Sequence, residues 1–352
     1  MKRFRCIDDL TNPELLGRLI GLVAKIDKQP FSAVGFSGSV LERVRVLLET
    51  GTTRNFVLKE TRLNNEWLSL RTNDAIGREA ALLDEDKLAK VWNIIHCPYV
   101  AFAREIDCTG LLMDDLTEHL FPDTREPIDV ISEDIIIDRI ASLHALFWGG
   151  NEIRNLNWLV RPFDYLSLLA PGEHKQDNYC PPPEKLRSNI SEGWKLALQL
   201  LPSAVMNFLS KPAEEIFEPW KDLPVTLLHG DLKIANMAIL PNKQLALFDW
   251  PAIGCAPCGM ELGWYIAVNA TRLARTKEEF VSHYRHCLES HLRFSIDENI
   301  WQRMKRLAVI TGAMMLLWNK ALGWKSGTQK GIDEWEWWKD QLQDAIKHDW
   351  NA

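Results

Sequence analysis

The sequence predicts an α+β chain in which a small strand-rich lobe precedes a large, mainly helical one. Three observations predict it. Residues 31–61 follow the two-residue alternation of pleated strands, whereas after residue 131 apolar positions recur at helical spacing. The 352-residue length exceeds what one minimal core requires, so two lobes are expected. The boundary falls near Leu116, giving lobes at 1–116 and 117–352.

Taken in order, Thr11-Asn12-Pro13-Glu14 offers a capping residue, an early proline and an acid in the first turn, which starts a helix running to about residue 25. Val40, Glu42, Val44, Val46 and Leu48 then alternate with Leu41, Arg43, Arg45 and Leu47, a strand pattern. Residues 51–55 make a turn and 56–60 the returning strand. Residues 76–91 are expected to be helical, with Ala80, Leu83 and Leu88 on one side, and 99–106 and 110–113 to be strands completing a small sheet. In the second lobe, 135–147 is an amphipathic helix. Pro181-Pro182-Pro183 is a stiff loop before a helix over about 184–201. The short apolar runs 225–228 and 245–248 suit a hairpin with each other, and helices resume near Met260.

Composition narrows the function. Hydrophobic residues make up 46% and charged residues 25%, a globular balance rather than a disordered one. A net charge of −7 lacks the basic surplus of a nucleic-acid binder. No continuous apolar run approaches the roughly 18 residues of a membrane span, and residues 1–9 carry positive charge with no apolar stretch behind it, unlike a secretory leader. Seven scattered cysteines suit reduced thiols and a cytoplasmic location. Fifteen tryptophans suit core packing first and an aromatic-walled pocket second.

The chemistry concentrates in His229-Gly230-Asp231-Leu232-Lys233-Ile234-Ala235-Asn236, with Asp249 following the next apolar run in Phe248-Asp249-Trp250. Asp and Asn commonly cap turns, and either residue alone would be read so. Together they supply what phosphoryl transfer needs: Asp231 to accept a hydroxyl proton, and the oxygens of Asn236 and Asp249 for Mg2+.

At this segment the chain resembles the aminoglycoside phosphotransferase and choline kinase-like superfamily. The stretches Leu111-Leu112-Met113-Asp114-Asp115-Leu116 and Ile140-Ala141-Ser142-Leu143-His144-Ala145-Leu146-Phe147-Trp148 look closest to its ecdysteroid-kinase-like branch. The resemblance spans about 35–264. It implies a protein-kinase-like bilobal fold, with an antiparallel sheet plus helix in the N-terminal lobe, and an ATP-dependent kinase acting on a small-molecule hydroxyl acceptor. ATP and Mg2+ are the implied cofactors.

The resemblance also makes demands on the first lobe. A glycine-containing turn should cover the phosphates, and Gly35-Phe36-Ser37-Gly38-Ser39 sits between strand-like runs. Lys59 fits the phosphate-contacting strand lysine, and Glu79 its helical partner, with Glu85 as runner-up. Met113, Asp114 and Asp115 fall where backbone would meet the adenine edge; the two aspartates would contact ribose or cap the next turn. Relatives carry an Asp-Leu pair after the metal aspartate; here it is Glu261-Leu262, and a buried hydrogen-bonding role suits Glu261.

Rival motifs are weaker. Cys255-Ala256-Pro257-Cys258 has Cys-x-x-Cys spacing without a second ligand pair for zinc or a thioredoxin-like context. His229 is expected to orient backbone, and His144 to pack in the core. Residues 326–352 hold three lysines, six acids and Trp335, Trp337, Trp338 and Trp350, read as an inward-packing helix or an acceptor wall. Two functional alternatives stand: a nucleotide-binding pseudokinase scaffold, and a protein kinase. The latter lacks an Ala-Pro-Glu-like segment after Asp249.

Overall fold

The computed structural model describes residues 1–31, 38–172 and 182–350. Its contacts divide the chain into two compact units, 1–121 with 237–251, and 122–236 with 252–352. The observed organisation is the α+β one expected: a unit built on a mainly antiparallel sheet, and a mainly helical unit.

The first unit contains β1 (Lys2–Phe4), α1 (Pro13–Ile20), β2 (Val23–Phe31), β3 (Val40–Leu48), β4 (Thr53–Arg62), α2 (Trp67–Arg71), α3 (Arg78–Asp84), β5 (Tyr99–Arg104) and β6 (Cys108–Asp114). Among the described residues these strands form one six-stranded sheet in the order β1-β5-β6-β4-β3-β2. β1 joins β5 in parallel and the other neighbours are antiparallel. Phe56 and Leu58 of β4 and Val44 and Val46 of β3 point to one face, where they pack with Leu10, Leu16 and Leu112. Each such side chain contributes about 1.5–3 kcal/mol by leaving water. The period of two then turns Lys59 to the opposite face, where it is nonetheless buried.

Two helix predictions overran. Asn12 caps α1 by accepting from the amides of Glu14 and Leu15, but the helix stops at Ile20. Gly21 leaves it with φ 102°, and Val23 already belongs to β2. The expected helix over 76–91 is broken at Glu85, whose extended backbone ends α3. Glu85 then caps a separate 3-10 segment, Asp86–Asn93. In both places a single residue with non-helical backbone overrides an apolar spacing that continues past it.

The second unit contains α4 (Val130–Leu146), α5 (Pro162–Ser167), α6 (Glu184–Leu200), α7 (Ser203–Leu209), α8 (Ala213–Phe217) and β7 (Thr226–Leu228). Next in the chain come β8 (Met237–Ile239) and β9 (Leu245–Leu247), which group with the first unit. The second unit resumes with β10 (Gly254–Ala256), α9 (Cys258–Val268), α10 (Lys277–Leu292), α11 (Glu298–Lys325) and α12 (Gln329–Trp350). The predicted hairpin between the apolar runs 225–228 and 245–248 is corrected: β7 pairs with β10 and β9 with β8. Short all-apolar runs carry no register information, and here each finds a nearer partner.

α11 is the spine of the helical unit and packs on α9, α12 and α6. It is long and apolar enough by length and composition to cross a membrane, and 67% of its apolar window is buried inside the protein. Arg303, Lys305, Arg306 and Lys320 interrupt it, which is why no continuous run stands out in the sequence. α9 approaches α11 so closely that a Cβ at Gly263 would stand 2.0 Å from the Ala308 carbonyl oxygen. Trp335 and Trp338 of α12 are fully buried, so inward packing accounts for this part of the aromatic tail. Trp337 donates its indole N–H to Glu278 at 2.6 Å.

Candidate active site

In the sheet unit the chemistry gathers on Lys59. Its ammonium donates at 2.6 Å to Glu79 Oε2 and at 2.6 Å to Asp249 Oδ1. Glu79 Oε1 accepts from the Tyr99 hydroxyl at 2.7 Å and from the Asp249 amide at 3.1 Å. Burial alone pushes the lysine's pKa down. The charges of Asp249 and Glu79 and their hydrogen bonds reverse that and hold it above the ordinary lysine value, so the ammonium stays charged. Tyr99 is pushed well above its ordinary value by burial and then by the Glu79 charge, so it acts as a donor.

The local structure explains why these groups meet. α3 starts on the carboxylate of Asp74, which accepts from the amides of Gly77 and Arg78 at 2.8 Å each. That fixes Glu79 in the first turn. β9 is anchored by its Leu245 carbonyl, which accepts from His96 at 2.8 Å, and Asp249 follows two residues after β9. Asp249 takes a left-handed backbone, φ 67°, a conformation that aspartate tolerates better than most residues.

In the helical unit the loop after β7 carries Asp231. Its Oδ2 accepts from Lys233 Nζ at 2.7 Å and Asn236 Nδ2 at 3.1 Å, and its carbonyl accepts from the same amide at 2.9 Å. The Asp231 amide donates to His229 Nδ1 at 3.2 Å, so the fully buried His229 holds backbone. Gly230 sits at φ 84°, and a Cβ there would stand 1.9 Å from the Ala252 carbonyl oxygen; only glycine fits.

Glu261 at the start of α9 supports this loop. Its Oε1 accepts from the Gly230 amide at 2.6 Å, and its Oε2 from the His229 amide at 3.2 Å and from His144 Nε2 at 2.9 Å. His144 Nδ1 meets the Tyr284 hydroxyl at 2.6 Å. Burial pushes the Glu261 carboxyl up; the hydrogen bond from His144, with its charge, and that from the Gly230 amide outweigh it and leave its pKa below the ordinary value. A buried carboxylate thus stays ionised to receive backbone amides. The buried hydrogen-bonding role expected of Glu261 is the one found, and His144 is a buried histidine tied into that role.

The other candidates fall as follows. Gly35 and Ser37, with Phe36 between them, lie outside the described residues. Gly38 and Ser39 lead into β3, and Ser39 Oγ meets Thr61 Oγ1 at 2.7 Å. Met113 lies opposite Val57 in the sheet register. Asp114 ion-pairs with Arg54 at 3.1 Å, and Asp115 caps the next turn by accepting from the Thr117 amide at 3.0 Å. Cys255 and Cys258 are pushed up by burial to about 11 and about 12, which makes inert thiols. Among the described residues no three His, Cys, Asp or Glu side chains cluster as a metal site.

Sequence reasoning missed Tyr99, Asp74 and Lys233. Tyr99 and Asp74 carry no motif. Lys233 did carry a signal, a cation two residues from the carboxylate it pairs with.

No protein-family model matches the chain, and no curated protein matches it. Solved structures do resemble it. The choline kinase LicA from Streptococcus pneumoniae is 13% identical, with 94% of this chain and 97% of that chain covered, at a TM-score of 0.45. A choline kinase from Cryptosporidium parvum is 12% identical, covering 92% and 90%, at a TM-score of 0.47. An aminoglycoside-3'-phosphotransferase of type VIII is 15% identical, covering 81% and 93%, at a TM-score of 0.40.

Proposed function

We propose that this protein is an ATP-dependent kinase of a small-molecule hydroxyl group. The observation that supports it most is the buried Lys59 ammonium, held at 2.6 Å by both Glu79 and Asp249. A buried cation fixed by carboxylates from distant segments is a charge kept ready for an anion, and nucleotide phosphates are the anion this arrangement suits. In this reading Lys59, oriented by Glu79, contacts the phosphates, with Gly35, Ser37, Gly38 and Ser39 covering them and 113–115 meeting the adenosine end.

Magnesium fits the residues present. The Nδ2 of Asn236 is committed to Asp231, which turns its amide oxygen the other way. That oxygen and the Asp249 carboxylate are the hard donors Mg2+ takes beside phosphate oxygens. When bound, the ion would neutralise charge on the phosphates.

Asp231 is the base. It orients the acceptor hydroxyl and takes its proton as the acceptor oxygen bonds to the γ-phosphorus. The bond from that phosphorus to the β,γ-bridging oxygen breaks, ADP leaves, and the product is a phosphate ester. Lys233 and Asn236 fix the Asp231 carboxylate; Glu261 and His144 fix the backbone under it. The test is an ADP-release screen over hydroxyl compounds, with Asp231→Asn as the blank. Release that depends on an acceptor and is abolished in the variant supports the reading. ATP binding without turnover of any acceptor identifies a pseudokinase scaffold, and phosphorylation of peptides alone identifies a protein kinase.

A further inference from the structure

Within the helical unit, where α9 and α11 meet beneath the Asp231 loop, lies a cavity of about 10 Å³ whose walls include Gly230, Met260, Trp264, Thr311 and Met315. A space of that size takes one water-sized group. Two of these residues carry buried polar atoms with no hydrogen-bond partner, the indole Nε1 of Trp264 and the hydroxyl of Thr311.

Thr311 is 2% exposed and lies in the middle of α11. A threonine there ordinarily bonds back to the carbonyl one turn earlier; this hydroxyl does not. Leaving buried donors unpaired is costly, so an oxygen received here recovers what the fold leaves unmade. The charge in the wall belongs to Glu261, and both its oxygens are already taken by Gly230, His229 and His144. The Tyr165 hydroxyl, also in the wall, donates to the Ala252 carbonyl. What remains, among methionine carbons, is an indole N–H that can only donate and a hydroxyl that can donate or accept; one uncharged oxygen can satisfy both, whereas an ammonium would leave the indole N–H unpaired.

We propose that this recess binds a second, uncharged oxygen of the acceptor, a hydroxyl or carbonyl, while the hydroxyl to be phosphorylated lies at Asp231. The acceptor class is then a neutral compound with at least two oxygens, such as a diol or sugar, rather than an amino alcohol. The inference rests on the phosphotransfer reading and narrows it.

The experiment pairs calorimetric binding with ADP release for the same probes: neutral polyols, their single-deoxy analogues, and choline and ethanolamine. Wild type and Thr311→Val, which keeps shape but removes the hydroxyl, are compared, with Thr311→Ser as the restoring variant. The expected result is that a polyol binds, that Thr311→Val weakens it about tenfold, that Thr311→Ser recovers much of the loss, and that the matching deoxy analogue is indifferent to both. Best binding by an amino alcohol, no dependence on Thr311, or a crystal structure in which only water sits in the recess with the acceptor bound would overturn the proposal. Thr311-dependent polyol binding without ADP release would overturn the phosphotransfer reading and leave the recess supported. Release without Thr311 dependence does the reverse.

Discussion

Lys59 in the sheet unit draws its carboxylates from 20 and 190 residues away, whereas Asp231 in the helical unit finds its side-chain partners two and five residues along the chain. The first cluster exists only once the tertiary structure has formed, and its members compensate one another's buried charge. The second is a local loop whose own contacts are short in sequence; its long-range support, Glu261, touches backbone rather than the reacting carboxylate. Charge placed by tertiary folding should therefore be expensive to remove, while charge placed by a local loop should be removable with chemistry lost and fold retained.

The largest expected effect tests the second half of that contrast. Asp231→Ala should slow phosphoryl transfer by about 10²–10⁴, with thermal unfolding close to wild type. An Asp231→Ala protein transferring phosphate at full rate removes the assigned role. Lys59→Ala tests the first half. It leaves Glu79 and Asp249 facing each other, and breaking a buried ion pair from one side costs about 3–5 kcal/mol. Urea unfolding should show that loss together with weakened nucleotide binding; unchanged stability would mean the cluster is better hydrated than its burial implies.

Glu261→Gln sharpens the comparison. A buried charged acceptor of amides contributes about 1.5–3 kcal/mol, so the midpoint of unfolding should fall and kcat should fall more than the KM for ATP changes. The sign with pH follows from the depressed carboxyl. Its contribution is fully present above the ordinary glutamate value of 4.5 and is lost as pH falls through the lower folded value. The stability gap between wild type and Glu261→Gln should therefore be constant near neutrality and close in acid; a gap that widens in acid contradicts the assignment. The smallest effect is on the carboxylate that receives the amides at the start of α3: Asp74→Ala should cost about 1.5 kcal/mol, read in the same unfolding measurement.

The same contrast explains what could be read from the sequence. The α+β class and many of the longer elements were legible because alternation and helical spacing are local; β1, β2, β8 and β10 were not predicted. Legible too was the 229–236 segment, whose residues bond one another within five positions. The partnership of Lys59 with Glu79 could be drawn only through the resemblance. Tyr99 under Glu79, Asp74 under α3 and His144 under Glu261 had no local signal, because each acts across the fold. Helix ends at Gly21 and Glu85 were missed since one backbone torsion decides them, and the pairing of β7 and β9 was misassigned since three-residue apolar runs do not declare a partner.

Glu261 grips amide hydrogens, and every non-proline residue presents one. Glu261's grip is thus blind to side-chain identity, while the His229 ring holds the Asp231 amide and the Ala252 carbonyl admits no bulk at position 230. For protein engineering, 229–231 with 261 form a fixed backbone cassette, held by carboxylate-to-amide bonds. Substitutions along the neighbouring face of α11 can then be made without disturbing the backbone that presents Asp231.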